Sequence, residues 1–541
     1  MASKLTTAAL SYVWQPHIFN PSVTTVSRES NSGLILDISR LSTAQISKNI
    51  SNFNNLELKI SVEQFFSTPV LSLLTAISTK NIWIEYFSRL HSCTPEEFFR
   101  QVSSHKSLQC ILISGDLQCI ESCFSQSAPV AGLAVKGAES SGFTGSESTL
   151  SLLSHLERLR KKHSANPEIH IWGGISGPEG AAACLESGVS RIIFESLHWL
   201  TNTAAGHDEN VRKQISRLRI DHSSSIDLGH GLQFRAFDKG NSSAVAEIQQ
   251  LRSSLNSTLE LGNAISARAS SPPGAEFDGR QLIPLGPEAA GAIGFSRRFG
   301  TDTVTALTAF RKETERLCST APETVRKMLK GPVTRVLGTR FPFIQGAMAC
   351  ISDIPEFALS IARAGGLPTI AMGIKPINEL EKGLARLQET LQGYNYAINI
   401  LTLPENPHRN EQLAWLEKNR PPFVVVSAGD PAHAVTLQKK GLSVLYVTSD
   451  IDLLQLAWNN GIRLVICEGQ EAGGHVGTLS TLTLAQAALE IKRQSPKGAG
   501  EQFLILAGGI FNANSLARAA ILGADAVQMG TLYLSSKEIV T

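Results

Sequence analysis

The stretch whose reading decides the fold is Phe503–Leu534, FLILAGGIFNANSLARAAILGADAVQMGTLYL. An apolar run, FLILA, ends in a glycine pair. An amphipathic segment over Ser515–Leu522 follows, then Gly523, then a second apolar run that ends in Gly530-Thr531. Strands apolar on both faces belong to a parallel sheet covered by helices. The stretch therefore reads as one βαβ unit.

The same alternation extends back through the second half. FPFIQG precedes an amphipathic stretch over 355–363, YAINIL one over 412–418, FVVVSAG one over 432–440, SVLYVTS one over 452–459 and RLVICEG one over 482–492. Repeated βα units predict a (β/α)8 TIM barrel, with an open doubly wound sheet as the alternative. The first half repeats the order more weakly: LILDI, LELKIS, IWIEY, CILISG, PVAGLAVKG, IHIWGGI and RIIFESL.

The two halves share a register. KGAESSGFTG at Lys136–Gly145 matches EGQEAGGHVG at Glu468–Gly477, with Gly142 and Gly474 separated by 332 positions. Gly173-Gly174-Ile175 and Gly508-Gly509-Ile510 are 335 apart, as are Gly188 and Gly523, and Ser32-Gly33-Leu34 lies 333 before Gly365-Gly366-Leu367. A domain-sized period means duplication rather than a solenoid. The expected organisation is α/β, with two tandem TIM barrels: residues 1–200 a degenerate first barrel, 201–332 a connecting region and 333–541 the second barrel. The connecting region holds Ser-rich stretches, a Ser-Ser-Pro-Pro-Gly breaker at 270–274 and two helical patterns, 244–255 and 304–318. SSKEIVT ends the chain just after the last expected strand, leaving no room for the second barrel's closing helix. The expectation is a front fragment of something longer.

At 541 residues the chain needs more than one core. With 18% charged residues and a net charge of +2, nucleic acid and anionic membrane surfaces are not expected partners. No apolar run approaches the ~18 residues of a membrane span. The 8 cysteines form no CxxC pair and the 13 histidines no HxH or HExxH, so no metal site is expected. Reduced thiols point to a cytoplasmic protein. The Ser/Thr-rich N-terminus is only faintly like a transit peptide.

In a barrel, the loops after the seventh and eighth strands commonly hold phosphate. Gly508 and Gly509, then Gly530 and Thr531, occupy those loops and let backbone N–H groups approach phosphate oxygens.

IQGAM at 344–348, AGGL at 364–367, Asn399 at a strand end, SAGDP at 427–431, EGQEAGGHVG, AGGI and MGT together resemble the nitronate monooxygenase (2-nitropropane dioxygenase) family. That family also includes flavin-type enoyl-acyl carrier protein reductases. The resemblance covers about 339–534 and implies FMN on a TIM barrel with a histidine near the flavin. It places Gly346, Ala347 and Met348 beside the ring, and Asn399 and Glu468 on ring or ribityl groups. Gly473 and Gly474 would permit close backbone approach, and Gly508, Gly509, Gly530 and Thr531 would hold the phosphate. Ala347 stands where many members carry proline.

The resemblance makes His475 the catalytic residue. An imidazole with pKa near ~6.5 can exchange a proton at neutral pH. It would take a proton α to a nitro group, or steer one while an enoyl thioester is reduced with NAD(P)H as donor. Cys467 reads as core, and Glu471 as a residue that positions the loop. The first copy has Phe143 for the histidine and Glu195 for Gly530, so it is expected to keep the fold and lose flavin. A tandem pair with a degenerate first barrel, joined by GLQFRAF and RQLIPLGPEAAGAIGFSRRFGT, resembles the N-terminal region of polyketide or polyunsaturated-fatty-acid synthase-like proteins. That implies substrates carried by an acyl carrier protein, or a non-catalytic scaffold module of such a synthase.

Overall fold

The computed structural model describes residues 9–14, 21–49, 56–77, 81–105, 107–125, 130–164, 166–203, 209–255, 257–270, 276–349, 351–474, 476–495 and 501–539. The chain divides into two compact units, Met1–Cys318 and Ser319–Thr541. Each contains an eight-stranded parallel sheet curled as a TIM barrel. They are called the front and rear barrels, in chain order.

The front unit contains β1 (Leu10–Trp14), β2 (Gly33–Asp37), β3 (Glu57–Ile60), β4 (Ile82–Glu85), β5 (Cys110–Ser114), β6 (Gly132–Val135), β7 (Gly142–Gly145), β8 (Glu168–Trp172), β9 (Arg191–Phe194), β10 (Ser223–Gly229) and β11 (Leu232–Phe237). Its barrel closes in the order β1-β2-β3-β4-β5-β6-β8-β9, with β9 pairing back onto β1. The remaining strands form an antiparallel sheet in the order β10-β11-β7. The inward layer holds Val13, Ile35, Trp83, Ile111, Ile113, Ala134, Trp172 and Ile193. β1 was not among the runs read from the sequence, and neither was the β10–β11 hairpin. The Ser-rich stretch and GLQFRAF, read as connecting segments, form that hairpin. The strand pattern there is one of alternation: Ile226 and Leu228 are buried while Ser225 and Asp227 are exposed.

The rear barrel contains β12 (Phe343–Gln345), β13 (Thr369–Ala371), β14 (Ala397–Leu401), β15 (Phe423–Ser427), β16 (Val444–Thr448), β17 (Leu464–Glu468), β18 (Phe503–Ala507) and β19 (Ala526–Met529). The sheet order is β12-β19-β18-β17-β16-β15-β14-β13. The ring is completed between β12 and Leu367 by one parallel bridge, with Gln345 N–H donating to Leu367 O at 2.9 Å and Leu367 N–H to Phe343 O at 2.8 Å. The fully buried Gln345 side chain reinforces this seam, its Oε1 accepting from Thr369 N at 3.0 Å. The three-residue strand β13 was missed in the sequence because Thr-Ile-Ala is too short to show a period.

Val425, Leu445, Val447, Ile466, Ile505 and Ala507 fill the rear barrel's interior, while Val333 and Leu337, from the helix Pro332–Leu337 ahead of the barrel, join the same core. Burying each such aliphatic chain contributes roughly 1.5–3 kcal/mol. After β19 the described chain makes only a short 3-10 turn, Thr531–Ser535. The upstream helix Ala321–Leu329 packs against Ala513–Ile521, the helix that precedes β19. Among the described residues, no helix is long and apolar enough to cross a membrane.

Candidate functional site

A strand's period of two positions the rear site. Ala397, Val425 and Ile466 belong to the barrel core, and Asn399, Ser427 and Glu468 come two residues later on β14, β15 and β17. They therefore face inward as well, one layer nearer the C-terminal rim. Asn399 Nδ2 donates to Ser427 Oγ at 2.7 Å and to Val425 O at 3.1 Å, which fixes the amide, and its oxygen meets no donor among the described residues. Ser427 was not among the predicted site residues, although SAGDP pointed to its loop. The next residue, Ala428, has φ 57°. Holding a non-glycine residue there costs on the order of 1 kcal/mol and is typical of functional loops.

Ala347, Asn399, Glu468, Gly473 and Gly474 share one cavity of about 180 Å3, together with Ser427, Ala428, Tyr446 and Gln528. Burial drives the Glu468 carboxyl up to about 7. Its side chain is thus poised between hydrogen-bond donor and acceptor at neutral pH. A methyl group at Gly473 or Gly474 would meet nothing within 4 Å, so the loop glycines border open space. Gly346 N donates to Met529 O at 2.7 Å, and Met348 Sδ lies 3.8 Å from where a Cβ would stand at Gly530, so the 346–348 loop runs beside the end of β19. His475 lies outside the described residues, directly after Gly474. Cys467 is fully buried and its thiol is pushed up to about 12 by burial, in keeping with a core residue.

Glu471 does what its place in the loop suggested. Its Oε2 accepts from both Thr481 N and Thr481 Oγ1 at 2.8 Å, tying the loop to the start of the helix Thr481–Gln494. Thr481 Oγ1 also lies 3.1 Å from Ala507 O. Gly508 must be glycine: its φ is 107°, and a Cβ would stand 2.6 Å from Thr481 Oγ1. Gly509, at φ 68°, is likewise left-handed.

The donors at this rim suit a phosphate. The N–H groups of Gly509, Gly530, Thr531 and Leu532 donate to no backbone or side-chain oxygen among the described residues. Unspent amides in the loops after β18 and β19 are of the kind that hold a phosphate monoester in a barrel of this type.

The nitronate monooxygenase family profile matches residues 330–541. A probable nitronate monooxygenase of Staphylococcus saprophyticus is 30% identical over 248 residues, which cover 38% of this chain and 68% of that protein. The chain belongs to the nitronate monooxygenase family. It is accordingly an FMN-dependent oxidoreductase. A second nitronate monooxygenase relative, from Staphylococcus haemolyticus, is 25% identical over 244 residues, covering 38% of this chain and 68% of its own length. Among solved structures, a FabK variant from Thermotoga maritima is 30% identical with a TM-score of 0.34, covering 38% of this chain and 67% of that one. A nitroalkane oxidase from Streptomyces ansochromogenes is 24% identical with a TM-score of 0.34, covering 38% and 69%.

The nitronate monooxygenase match lies in the rear unit, yet the front barrel repeats the same architecture with different chemistry. By inward register, Lys59 stands where Asn399 does, Glu85 where Ser427 does, Lys136 where Glu468 does, Trp172 where Ala507 does and Glu195 where Gly530 does. Lys136 Nζ bonds Glu85 Oε1 at 2.7 Å, and Lys59 Nζ lies 3.3 Å from both Asp37 and Glu85. Burial opposes the charge on Glu85, but Lys136 and Lys59 hold it down to about 2. Trp172 Nε1 donates to Glu195 Oε1 at 2.8 Å. Phe143, in place of the histidine, is an anchor: it sits on β7, 4.9 Å from the Phe234 ring of the hairpin. The front cavity, about 540 Å3, is lined by these charged groups. The Glu–Thr clamp is unchanged, with Glu139 Oε2 accepting from Thr149 N at 3.0 Å and Thr149 Oγ1 at 2.9 Å.

Proposed function

We propose that the rear barrel is a nitronate monooxygenase-type oxidoreductase that binds one FMN, and that the front barrel binds none. The observation that carries this reading is the meeting of Asn399, Glu468, Gly473 and Gly474 in one cavity, at the rim where the amides of Gly509, Gly530 and Thr531 are unspent. Bound FMN would supply the redox chemistry between substrate and oxygen.

The chain's own residues do the rest. The amides of Gly508, Gly509, Gly530 and Thr531 hold the phosphate. Asn399, oriented by Ser427, and Glu468 hydrogen-bond ring or ribityl groups. Gly346, Ala347 and Met348 border the ring, and Gly473 and Gly474 leave it room. His475 removes the proton α to the nitro group of a small-molecule substrate. An imidazole is suited to this because its ordinary pKa lies near ~6.5.

Purified protein is expected to be yellow, with one FMN per chain, and to consume oxygen with a nitronate in the absence of nicotinamide. NAD(P)H oxidation with an enoyl thioester, free or on an acyl carrier protein, and no nitronate-dependent oxygen uptake, would replace this with an enoyl reductase of a synthase. Colourless protein that takes up no added FMN would reject both and leave a scaffold.

A further inference from the structure

The front barrel retains the backbone turn that corresponds to the rear phosphate loop. Glu195, Ser196 and Leu197 follow β9 as Gly530, Thr531 and Leu532 follow β19, at the 335-residue offset shared by the glycine pairs and by Gly188 and Gly523. In the rear barrel the three amides are unspent. In the front barrel all three point at one atom. Glu288 Oε1 accepts from Glu195 N at 2.9 Å, Ser196 N at 2.7 Å and Leu197 N at 2.9 Å, and Ser196 Oγ stands 3.3 Å away.

We propose that this turn is an anion-binding seat of the phosphate-cradle kind, and that Glu288 of the same chain is its permanent occupant. The ligand class is a carboxylate or phosphate oxygen bearing negative charge. A nest of consecutive backbone N–H groups attracts anions because its donors converge and their dipoles add. Capping by an ordinary buried polar group would need one or two of these donors. Here a single oxygen takes three, while the other oxygen, Glu288 Oε2, is buried with no partner. Burial and the nearby Glu195 carboxylate push the Glu288 carboxyl up to about 8, and the three amides pull against that rise, favouring its ionised form.

Delivery of the carboxylate is built into the surrounding chain. Glu288 is 2% exposed and lies in the short 3-10 turn Pro287–Ala290. The preceding Gly286 approaches so closely that a Cβ there would stand 2.6 Å from Glu139 O. Ser223 Oγ donates to Leu285 O at 2.6 Å, tying the strap to the hairpin. The strap is thus held just ahead of Glu288, and the carboxylate reaches sequence positions 91–93 residues away. The occupant stands where a flavin phosphate would need to go, so the seat is closed to FMN. The occupancy rests on the front barrel alone, and absence of flavin from the rear barrel would not touch it.

The test is chemical rescue in the full-length chain. Glu288→Ala should lower the melting temperature by at least about 5 °C, because three amides, two of them in buried residues, lose their acceptor. Sodium formate, compared with sodium chloride at equal ionic strength, should restore at least half of that loss, saturably. Wild type and Glu288→Gln, whose seats remain filled, should respond no more to formate than to chloride. Rescue by inorganic phosphate as well as formate upholds the seat in its wider form, and rescue by formate alone upholds it as a carboxylate seat. Should Glu288→Ala fail to fold, a rise in refolding yield in formate over chloride supports the proposal, and no rise in formate or phosphate overturns it. It is overturned too if Glu288→Ala melts like wild type, or if formate acts equally on both.

Discussion

Gly530→Glu, which copies Glu195 of the front barrel into the rear one, separates cofactor binding from folding. The position tolerates a side chain. Its φ is −117°, ordinary for any residue, and a Cβ would find nothing nearer than Met348 Sδ at 3.8 Å. The stability change should therefore stay within about 0.5 kcal/mol. The electrostatic change is large. Two unit charges ~4 Å apart interact by ~1 kcal/mol in a water-like medium and by ~4 kcal/mol at an effective dielectric near 20. Against a phosphate dianion these double to about 2 and about 8 kcal/mol. The lower figure is the floor, since the rear barrel has Ala507 where Trp172 holds Glu195 in the front, and the new carboxylate can rotate toward water. FMN affinity should fall by at least ~30-fold. Titration of apoprotein with FMN, followed by quenching of flavin fluorescence, reads this directly. Gly530→Ala should bind within about threefold of wild type. If Gly530→Glu melts like wild type and also binds FMN within threefold, the rear glycine is not beside the phosphate and the assignment of the cradle is wrong.

Three further outcomes follow from the geometry. His475→Ala should reduce oxygen uptake with a neutral nitroalkane by ~10²–10⁴-fold, while leaving FMN content unchanged and sparing the preformed nitronate, which has already lost that proton; equal nitroalkane turnover would remove the histidine from the mechanism. Glu471→Ala breaks two 2.8 Å hydrogen bonds to Thr481 and should destabilise the loop by roughly 1.5–3 kcal/mol, seen as weaker FMN binding and a lower melting temperature. For Glu468, the folded carboxyl lies near 7, above its ordinary value of 4.5. The folded state therefore holds a proton that the unfolded chain has already released, and stability drops as pH rises between those values. Urea unfolding at pH 5 and 7.5 should show apoprotein losing on the order of 3 kcal/mol through this group, a loss that Glu468→Gln removes. An identical pH slope in the variant would contradict it.

The barrels were legible because buried parallel strands are apolar on both faces, and runs such as FLILA and FVVVS announce themselves without any partner in view. The duplication was legible because glycines forced by backbone geometry, Gly173 and Gly174 against Gly508 and Gly509, cannot drift without cost. What escaped was short or long-range. β13 is three residues, and β1 lies near the chain start with Tyr and Trp in place of an aliphatic run. The hairpin escaped because its serines look like linker, although Gly229-His230-Gly231, all at positive φ, is a turn signal. Glu288 could not be found from sequence, since its three donors lie in another loop more than ninety residues away. Lys59, Glu85 and Lys136 sit singly on separate strands, and only closure of the barrel brings their charges together.

Comparison of the two loops divides the family motif into parts. Glu471 bonds Thr481, and Glu139 bonds Thr149 in the same way, although one barrel has unspent amides at its rim and the other has filled them. In both, the glycine that starts the loop, Gly469 or Gly137, has no space for a Cβ against that threonine. A contact kept in both settings serves the fold: it cements the loop over the barrel's rim. Positions two residues past the last core layer behave in the opposite way, with Asn399, Ser427 and Glu468 replaced by Lys59, Glu85 and Lys136. On the proposed reading, those positions answer to whatever occupies the mouth. Removing a neutral, hydrogen-bonding occupant leaves buried polar side chains without partners, which is costly. The front barrel's mutually paired lysines and carboxylates, together with Glu288, satisfy that requirement from within the chain.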